Sequence, residues 1–440
     1  MKASRYNIFS VTDKGEETVF NTVTCALAQI DDSFKNIYRN IDDLEPSQVS
    51  QDKQALIEAM KDAGFLVEDY IDEKKLLKYQ HYMGKMNQSI FGLTIAPTLA
   101  CNFACPYCYE DAGMGAMTKE VQDALIENVE KMASRGRDIE ITWYGGEPLM
   151  ALDIIERLSL SFMEIRKTYK RKYSAFIVTN GYGINASVIE RLKKYKITGA
   201  QITLDGGPKT HNERRILKGT GGSTFDRVLM NTKHLKEEGL NVNIRINVDR
   251  TNFSEVHDLV DILIHNGLQD LPTGLGHVTA YTEVCSSVAE SCLDMEEYAA
   301  LNNDFQKLLY DKGMLAHIYP YYPGVEANYC CADTLGAFVV DPEGHMYKCW
   351  NDVGYPEKAV SMIQSFDAPD EKMFHLGLDY LMWTPFDHDK CQDCKYLPIC
   401  MGGCPYKGMA AGGEPDCEKW KYNIKDIIEI TCDNNPEGVQ

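Results

Sequence analysis

The sequence has no uninterrupted run of about 18 apolar residues, the minimum for a helix that crosses a bilayer. Its first residues, MKASRYNIFSV, also lack the apolar stretch of roughly 7–15 residues that marks a secretory signal. Basic residues are in deficit, with 45 Lys and Arg against 65 Asp and Glu and a formal net charge of −20. Nucleic-acid recognition needs a basic face. We therefore expect a cytoplasmic protein that binds neither membranes nor nucleic acid.

Repeats of fixed period and low-complexity tracts are also absent. The 440 residues are enough for two or three domains. Changes in pattern place three regions at residues 1–85, 86–310 and 311–440. The chain has 15 cysteines. In a reducing compartment, clustered cysteines indicate metal ligands before disulfides.

The first region reads as a small α+β unit. RYNIFSV and EETVFNT are strand-like runs joined by the turn signal TDKGE. A helix follows, with Leu56, Met60 and Ala63 on one face, and Gly64 ends it before a short strand, FLV. This order predicts a winged-helix-like module, and the polar helical segment 71–90 is expected to be a linker.

The middle region alternates strands and helices. Six strand candidates begin near residues 91, 139, 175, 200, 241 and 274, and amphipathic helices are predicted near 119–133, 151–170, 186–196, 225–238 and 254–266. This spacing predicts an α/β fold with a parallel sheet, curved into a partial (β/α)6 barrel of the TIM type. Unusual residues follow four successive strands: a cysteine-rich loop, GGEP, TNG and TLDGG. Because the carboxyl ends of barrel strands build active sites, we expect these groups at one mouth.

The cysteine-rich loop, CNFACPYCYE, spaces Cys101, Cys105 and Cys108 as C-x3-C-x2-C. Three thiolates suit a cubane iron–sulfur cluster with one iron left open. A structural zinc site would need a fourth ligand, and no other Cys or His lies between residues 82 and 210. A disulfide with one free thiol fits the compartment less well.

This loop resembles the C-x3-C-x-aromatic-C signature of the radical S-adenosylmethionine (SAM) enzymes, with Tyr107 at the aromatic position. The resemblance implies that SAM chelates the open iron through its methionine group. Reductive cleavage of SAM then gives a 5′-deoxyadenosyl radical, which takes a hydrogen atom from the substrate.

The resemblance extends to the other strand ends and implies a SAM pocket. GGEP matches the family's glycine-rich strand end near the methionine ammonium, TNG its ribose region, and TLDG and HNERR its carboxylate contacts. An isolated GGEP is also compatible with a plain turn, and Arg215 with a surface arginine. The SAM-binding residues implied are Tyr107, Gly145, Gly146, Glu147, Pro148, Asn180, Thr203 and Arg215. Asp205 is expected to cap its strand end.

The C-terminal region concentrates cysteines at C-x2-C and related spacings, which also occur in zinc ribbons. The full string resembles the SPASM extension of radical SAM enzymes, which implies two auxiliary 4Fe–4S clusters and three in all. Cluster I would take Cys331, Cys349 and Cys404, and cluster II would take Cys391, Cys394, Cys400 and Cys417. The fourth ligand of cluster I is open between Cys292, Cys330 and a substrate thiolate. Cys25, Cys285 and Cys432 are expected to be buried apolar residues.

SPASM enzymes mostly modify peptides, and the first region is similar to the leader-recognition element of maturases for ribosomally made peptides. This resemblance implies a thioether-forming enzyme of the sactipeptide or ranthipeptide type, fed by an electron donor such as flavodoxin or ferredoxin. An anaerobic sulfatase-maturating enzyme is the alternative. That subfamily places an aspartate base after the cysteine of the G-x4-C element, where this chain has Trp350. A non-catalytic electron-transfer protein is the third possibility, and no catalytic base is predicted.

Overall fold

A computed structural model describes residues 1–41, 50–110, 113, 115–314 and 322–434. The strands are β1 Lys2–Ala3, β2 Asn7–Val11, β3 Glu17–Asn21, β4 Leu27–Gln29, β5 Leu66–Val67, β6 Ile90–Ile95, β7 Asp138–Trp143, β8 Tyr173–Thr179, β9 Ile197–Thr203, β10 Asn241–Val248, β11 Thr273–His277, β12 Ala337–Val340, β13 His345–Tyr347 and β14 Ser361–Met362. The helices are α1 Asp32–Asn40, α2 Gln51–Asp62, α3 Glu73–Lys85, α4 Lys119–Ser134, α5 Leu152–Tyr169, α6 Ala186–Lys194, α7 Pro208–Arg214, α8 Phe225–Glu237, α9 Val256–His265, α10 Met295–Asp311, α11 Glu371–Met382, α12 Asp389–Gln392, α13 Leu397–Cys400, α14 Pro405–Ala410 and α15 Trp420–Asn434. Within the described ranges, no helix combines the length and the apolar character needed to cross a bilayer.

The N-terminal unit is an antiparallel meander, β2–β3–β4, packed on α1 and α2. The predicted hairpin is present, with Asn7 opposite Asn21 and Val11 opposite Glu17. Helix α2 begins after Ser50, whose side chain accepts a hydrogen bond from the Lys53 amide, as expected of a good N-cap. The helix ends before Gly64, which adopts a φ of +82° that favours glycine.

All six strands predicted for the middle region are present and parallel, in the order β11-β10-β9-β8-β7-β6. Strand β10 shows why the sheet curves around a polar interior. Val242, Ile244 and Ile246 are buried against the outer helices, whereas Asn243 and Arg245 alternate with them on the exposed inner face. The short helix α7, absent from the sequence prediction, follows β9, packs against α8 and carries the buried Arg214.

The C-terminal region extends the barrel sheet instead of starting a sheet of its own. Strand β12 pairs in parallel with β6, with Ala337 opposite Gly92 and Val340 opposite Ile95. Strands β13 and β14 then continue the sheet in antiparallel fashion to nine strands. The region predicted to fold around metal is therefore fixed beside the first barrel strand.

Helix α3, predicted as a polar linker, is wedged between the regions. Lys85 is fully buried, donates hydrogen bonds to the carbonyls of Tyr380 and Trp383, and pairs with Asp333 at 3.9 Å. His81 is also buried and lies 2.8 Å from the Ala327 carbonyl. A helix with this buried face fixes the position of the C-terminal region relative to the barrel.

Candidate active site

The first cysteine loop, residues 101–108, lies beyond the carboxyl end of β6. Two hydrogen bonds to the segment after α7 fix the backbone of this loop. The Ala104 amide donates to the Ile216 carbonyl at 2.8 Å, and the Lys218 amide donates to the Asn102 carbonyl at 2.8 Å. Burial raises the pKa of the Cys101 thiol to about 11 and that of Cys108 to about 12. The loop therefore presents three partly buried thiols in a fixed backbone frame.

The two glycines of GGEP bring the end of β7 against this loop. The Gly146 amide donates to the Thr98 carbonyl at 3.2 Å, and the Glu147 amide donates to the Ala100 carbonyl at 2.9 Å. A Cβ at Gly146 would overlap the carbonyl oxygens of Leu99 and Ala100. Gly145 also has a φ of +110°, so both positions require glycine for this close backbone approach.

Glu147 lies at the centre of the polar contacts between these strand ends. Its buried carboxylate accepts hydrogen bonds from the Thr179 hydroxyl at 2.6 Å, the Asn180 amide at 2.8 Å and the Leu149 amide at 3.0 Å. Burial raises its pKa, and these hydrogen bonds act in the opposite direction. A carboxylate has about four acceptor positions, so one stays available for a ligand cation.

Asn180 joins the same cluster to the first cysteine loop. Its side-chain amide donates to the Asn102 side chain at 2.7 Å, while its oxygen accepts from the Tyr182 amide at 2.9 Å. Pro148 follows Glu147 and starts a short 3₁₀ turn in which the proline is buried. The predicted residues of GGEP and TNG are thus brought together with the cysteines.

A second network anchors Tyr107 beneath the loop. The Tyr107 hydroxyl donates to Asp205 and accepts from the Arg215 guanidinium at 3.0 Å. Asp205 also accepts from the Asn247 amide at 3.0 Å, as expected of a strand-end cap. Arg214 lies over the Tyr107 ring at 4.9 Å. Desolvation and the neighbouring Asp205 raise the pKa of the Tyr107 phenol.

Thr203 ends β9 on the inner face and is buried. Opposite it in the register lies Arg245, a basic residue that the sequence reasoning missed. The Arg245 Nε donates to the Asn247 side chain at 2.7 Å, and its guanidinium covers Gly276, where a Cβ would overlap it. The alternation in NVNIRINV, with Arg245 among the polar inner positions, is the signal that could have identified it.

The C-terminal cysteines fall into two groups. Four of them line one enclosed cavity: Cys391, Cys394, Cys400 and Cys417. In the other group, the side chains of Cys330 and Trp350 lie beside the Cys331 thiol, and Cys349 lies near Cys404 and Cys331. Cys292 instead donates its thiol to the Val288 carbonyl at 3.3 Å.

A cavity of about 520 Å³ separates the inner face of β6 and β7 from the second group of cysteines. Thr94, Thr142 and Glu140 line it from the barrel, and Cys331 and Trp350 line it from the C-terminal region. In the part of the chain that is described, no three His, Cys, Asp or Glu side chains form a ready-made single-ion site. Cys285 and Cys432 are buried as predicted, whereas Cys25 is half-buried.

Comparison with known families identifies the middle region. The family described as "Radical SAM superfamily" matches residues 95–263, from the end of β6 to α9. This chain carries a radical SAM domain. Members of the superfamily take SAM and a 4Fe–4S cluster. The residues of this site fit both SAM and the cluster. Three thiols share one loop, and the glycine turn and the buried carboxylate of Glu147 lie beside that loop.

Curated relatives of the chain act on different substrates. It is 24% identical to Fe-coproporphyrin III synthase of Methanosarcina barkeri, over 74% of this chain and 87% of that protein. It is 22% identical to a serine-type anaerobic sulfatase-maturating enzyme of Klebsiella aerogenes, over 75% of this chain and 83% of that protein. It is 19% identical to the radical SAM cyclopropyl synthase TigE of Paramaledivibacter caminithermalis, over 90% of this chain and 86% of that protein.

Two solved structures share the fold. One is anSMEcpe with bound AdoMet and the Cp18Cys peptide, with a TM-score of 0.60 and 20% identity over 78% of this chain and 98% of that chain. The other is Streptococcus suis SuiB bound to the precursor peptide SuiA. Its TM-score is 0.55, with 16% identity, and the match covers 95% of this chain and 98% of that chain. The radical SAM α/β fold with a parallel sheet is confirmed.

Proposed function

We propose that this protein is a peptide-modifying radical SAM enzyme that forms thioether crosslinks between a cysteine and a carbon of a ribosomally made precursor. The observation that carries the proposal is the cavity of about 520 Å³, which separates the barrel interior from a second set of thiols. Trp350, which packs on Tyr144 at the end of β7, lines this cavity, so a peptide in it would lie beside the proposed redox-active group. The complex of SuiB with its precursor peptide supports a peptide substrate.

In this proposal Cys101, Cys105 and Cys108 hold the 4Fe–4S cluster, and SAM supplies the radical that removes a hydrogen atom from the acceptor residue. The remaining acceptor position of Glu147 suits the SAM ammonium, and Arg215 suits its carboxylate. The close turn at Gly145 and Gly146 supplies backbone groups beside them. Thr203, Asn180 and Tyr107 complete the pocket.

The second set of thiols takes the surplus electron in this proposal. Cys331, Cys349 and Cys404 hold auxiliary cluster I, and Cys391, Cys394, Cys400 and Cys417 hold cluster II. The contact of Cys330 with Cys331 favours Cys330 over Cys292 as the fourth ligand of cluster I. The four cysteines proposed for cluster II line one enclosed cavity, which supports their assignment to a single cluster.

The N-terminal unit is proposed to be the winged-helix-like module that binds the leader of the precursor. Its meander leaves β2 and β4 as edge strands of their sheet, and an edge strand can pair with an extended peptide. A flavodoxin or ferredoxin is the proposed electron donor.

A mass spectrum of the product tests the function. The reconstituted enzyme is incubated without oxygen with SAM, reductant and a cysteine-bearing precursor peptide encoded beside its gene, and free thiols are then alkylated. We expect a loss of two hydrogens for each modified cysteine, which becomes resistant to alkylation. Cys105→Ala is the inactive control.

Conversion of the cysteine to an aldehyde would overturn the proposal in favour of sulfatase-type maturation. Trp350 stands where that chemistry is expected to need an aspartate, which argues for the thioether outcome. A carbon–carbon ring with the thiol still free to alkylate would also overturn it, since TigE is a cyclopropyl synthase.

A further inference from the structure

Three aromatic side chains connect the first cysteine loop with the loop of Cys349. Tyr109 directly follows Cys108, and its hydroxyl is hydrogen-bonded to the hydroxyl of Tyr144 at the end of β7. The ring of Tyr144 packs on that of Trp350, with 4.3 Å between ring centroids and an interplanar angle of 57°.

The far end of this series reaches two cysteines of the second group. Trp350 directly follows Cys349 in the sequence, and its side chain lies beside the Cys331 thiol, with which it lines the same cavity. Contact is therefore continuous from one cysteine loop to the other, although the two loops belong to different regions of the chain.

The surroundings hold these rings in place, with Tyr144 buried and Tyr109 and Trp350 half-buried. The buried Glu110 lies beside Tyr144. The carbonyl of Tyr109 accepts a hydrogen bond from the Thr282 hydroxyl at 3.2 Å.

We propose that Tyr109, Tyr144 and Trp350 form the electron route between the two cysteine loops. The inference rests on the proposed function, because it takes both groups of thiols to be 4Fe–4S ligands. Electron transfer slows steeply with gaps in atomic contact, and the three packed rings replace such a gap. One electron leaves the reduced cluster at Cys331 and Cys349 and reduces the oxidised cluster at the first loop, and no bond or proton changes place.

Single-burst SAM cleavage without peptide tests the route. The reconstituted enzyme is fully reduced, excess dithionite is removed, and SAM is added. 5′-Deoxyadenosine is counted while the auxiliary-cluster EPR signal is followed in freeze-quenched samples. Each cleavage consumes one electron, so the wild type is expected to exceed roughly one equivalent per enzyme as its auxiliary signal disappears.

Trp350→Leu is expected to stop after roughly one equivalent, or to slow the second phase by about tenfold or more, while the auxiliary signal persists. Tyr144→Leu is expected to behave alike, and Tyr144→Phe, which keeps the ring, is expected to stay close to the wild type. Tyr281→Leu is the matched control, because Tyr281 lies close to Cys349 and Cys404 but outside the three-ring series.

Wild-type second-phase kinetics in Trp350→Leu at full iron content would overturn the proposal. Should Trp350→Leu lose iron because the indole beside Cys331 is gone, Tyr144→Leu decides, since it leaves that indole in place. A wild type that stops at roughly one equivalent with its auxiliary signal unchanged would also overturn the route. No peptide is present, so an error in the peptide chemistry leaves these readouts unaffected.

Discussion

Individual side chains in this site stabilise one another as much as they face a ligand. The sequence predicts Glu147 as a partner for an ammonium. In the fold its carboxylate also accepts two hydrogen bonds from the end of β8, given by Thr179 and Asn180, and one from the Leu149 amide of its own turn. The cysteine motif identifies Tyr107 as its aromatic position. In the fold, the Tyr107 hydroxyl is hydrogen-bonded to both Asp205 and Arg215. Pre-arranged polar groups of this kind need no reorganisation when a cofactor binds.

Gly146 offers the sharpest test at this scale. We expect Gly146→Ala to displace the first cysteine loop, because its new methyl group would overlap the carbonyls of Leu99 and Ala100. The expected cost is about 1–3 kcal/mol, together with lower iron incorporation. Thermal unfolding and iron content after reconstitution measure both effects. Gly115→Ala, which meets no atom within 4 Å, is the control, and equal iron in both variants would contradict the prediction.

His211 predicts a pH dependence of stability. Burial lowers its pKa to about 3, and its ring accepts a hydrogen bond from the Asp205 amide at 3.4 Å. The unfolded chain takes up this proton below about pH 6.5, whereas the folded chain does not until near pH 3, so stability falls as the pH drops through that window.

The His211 contribution reaches about 1.4 kcal/mol per pH unit. Urea midpoints at several pH values between neutrality and mild acid measure it in the protein free of clusters. The slope is expected to be shallower in His211→Asn and unchanged in the control His257→Gln, at an exposed position. An identical slope in His211→Asn and the wild type would refute the assignment.

At the scale of elements, two segments without any unusual sequence motif hold the site in position. Strand β12 joins the C-terminal cysteines to the edge of the barrel by pairing with β6. Helix α3 adds a buried ion pair between Lys85 and Asp333, next to the Cys331 turn. Both elements act over long distances in sequence, so local patterns do not predict their partners.

Lys85→Met is expected to destabilise the protein by about 3 kcal/mol, because Asp333 would stay buried without its cation. Denaturant midpoints measure the loss. Lys75→Met, on the exposed face of the same helix, is the control and is expected to have little effect. Adding Asp333→Asn to Lys85→Met should recover part of the stability, and no recovery would argue against the ion pair as the cause.

At the scale of the whole molecule, the N-terminal unit rests on the loop of Cys391, Cys394 and Cys400. The Thr22 hydroxyl donates to the Lys395 carbonyl at 2.6 Å, and the Lys395 ammonium donates to the Asn7 carbonyl at 2.8 Å. Apolar contacts reinforce the docking, and their residues are Ile8, Phe20, Ile399, Ile424 and Ile428. The proposed site of cluster II is thus part of the platform for the proposed leader-binding unit.

Loss of iron from this loop is therefore expected to loosen the N-terminal unit. In Cys394→Ala, amide hydrogen exchange in β2 and β3 should accelerate relative to the wild type, because the platform loses its metal crosslink. Cys285→Ala, at a buried cysteine of the barrel region, is the control. Unchanged exchange in β2 and β3 after iron loss would show that the docking is independent of the cluster.

The sequence by itself determined the local features of this protein. The C-x3-C-x2-C spacing, the six alternating strands and the GGEP turn depend on periodicity and backbone geometry, which act over a few residues. They were enough to indicate the barrel, the radical SAM domain and the mouth where Cys101, Glu147 and Arg215 meet.

Only the tertiary structure decided which distant residues touch. Nothing in the sequence placed Trp350 against Tyr144, Lys85 beside Asp333 or Arg245 opposite Thr203. The contact of Arg245 with Thr203 depends on the register of β9 and β10. The other two join residues more than 200 positions apart, as does the parallel pairing of β12 with β6. Packing across the sheet sets such distances, and it leaves no signature at short range in a single chain.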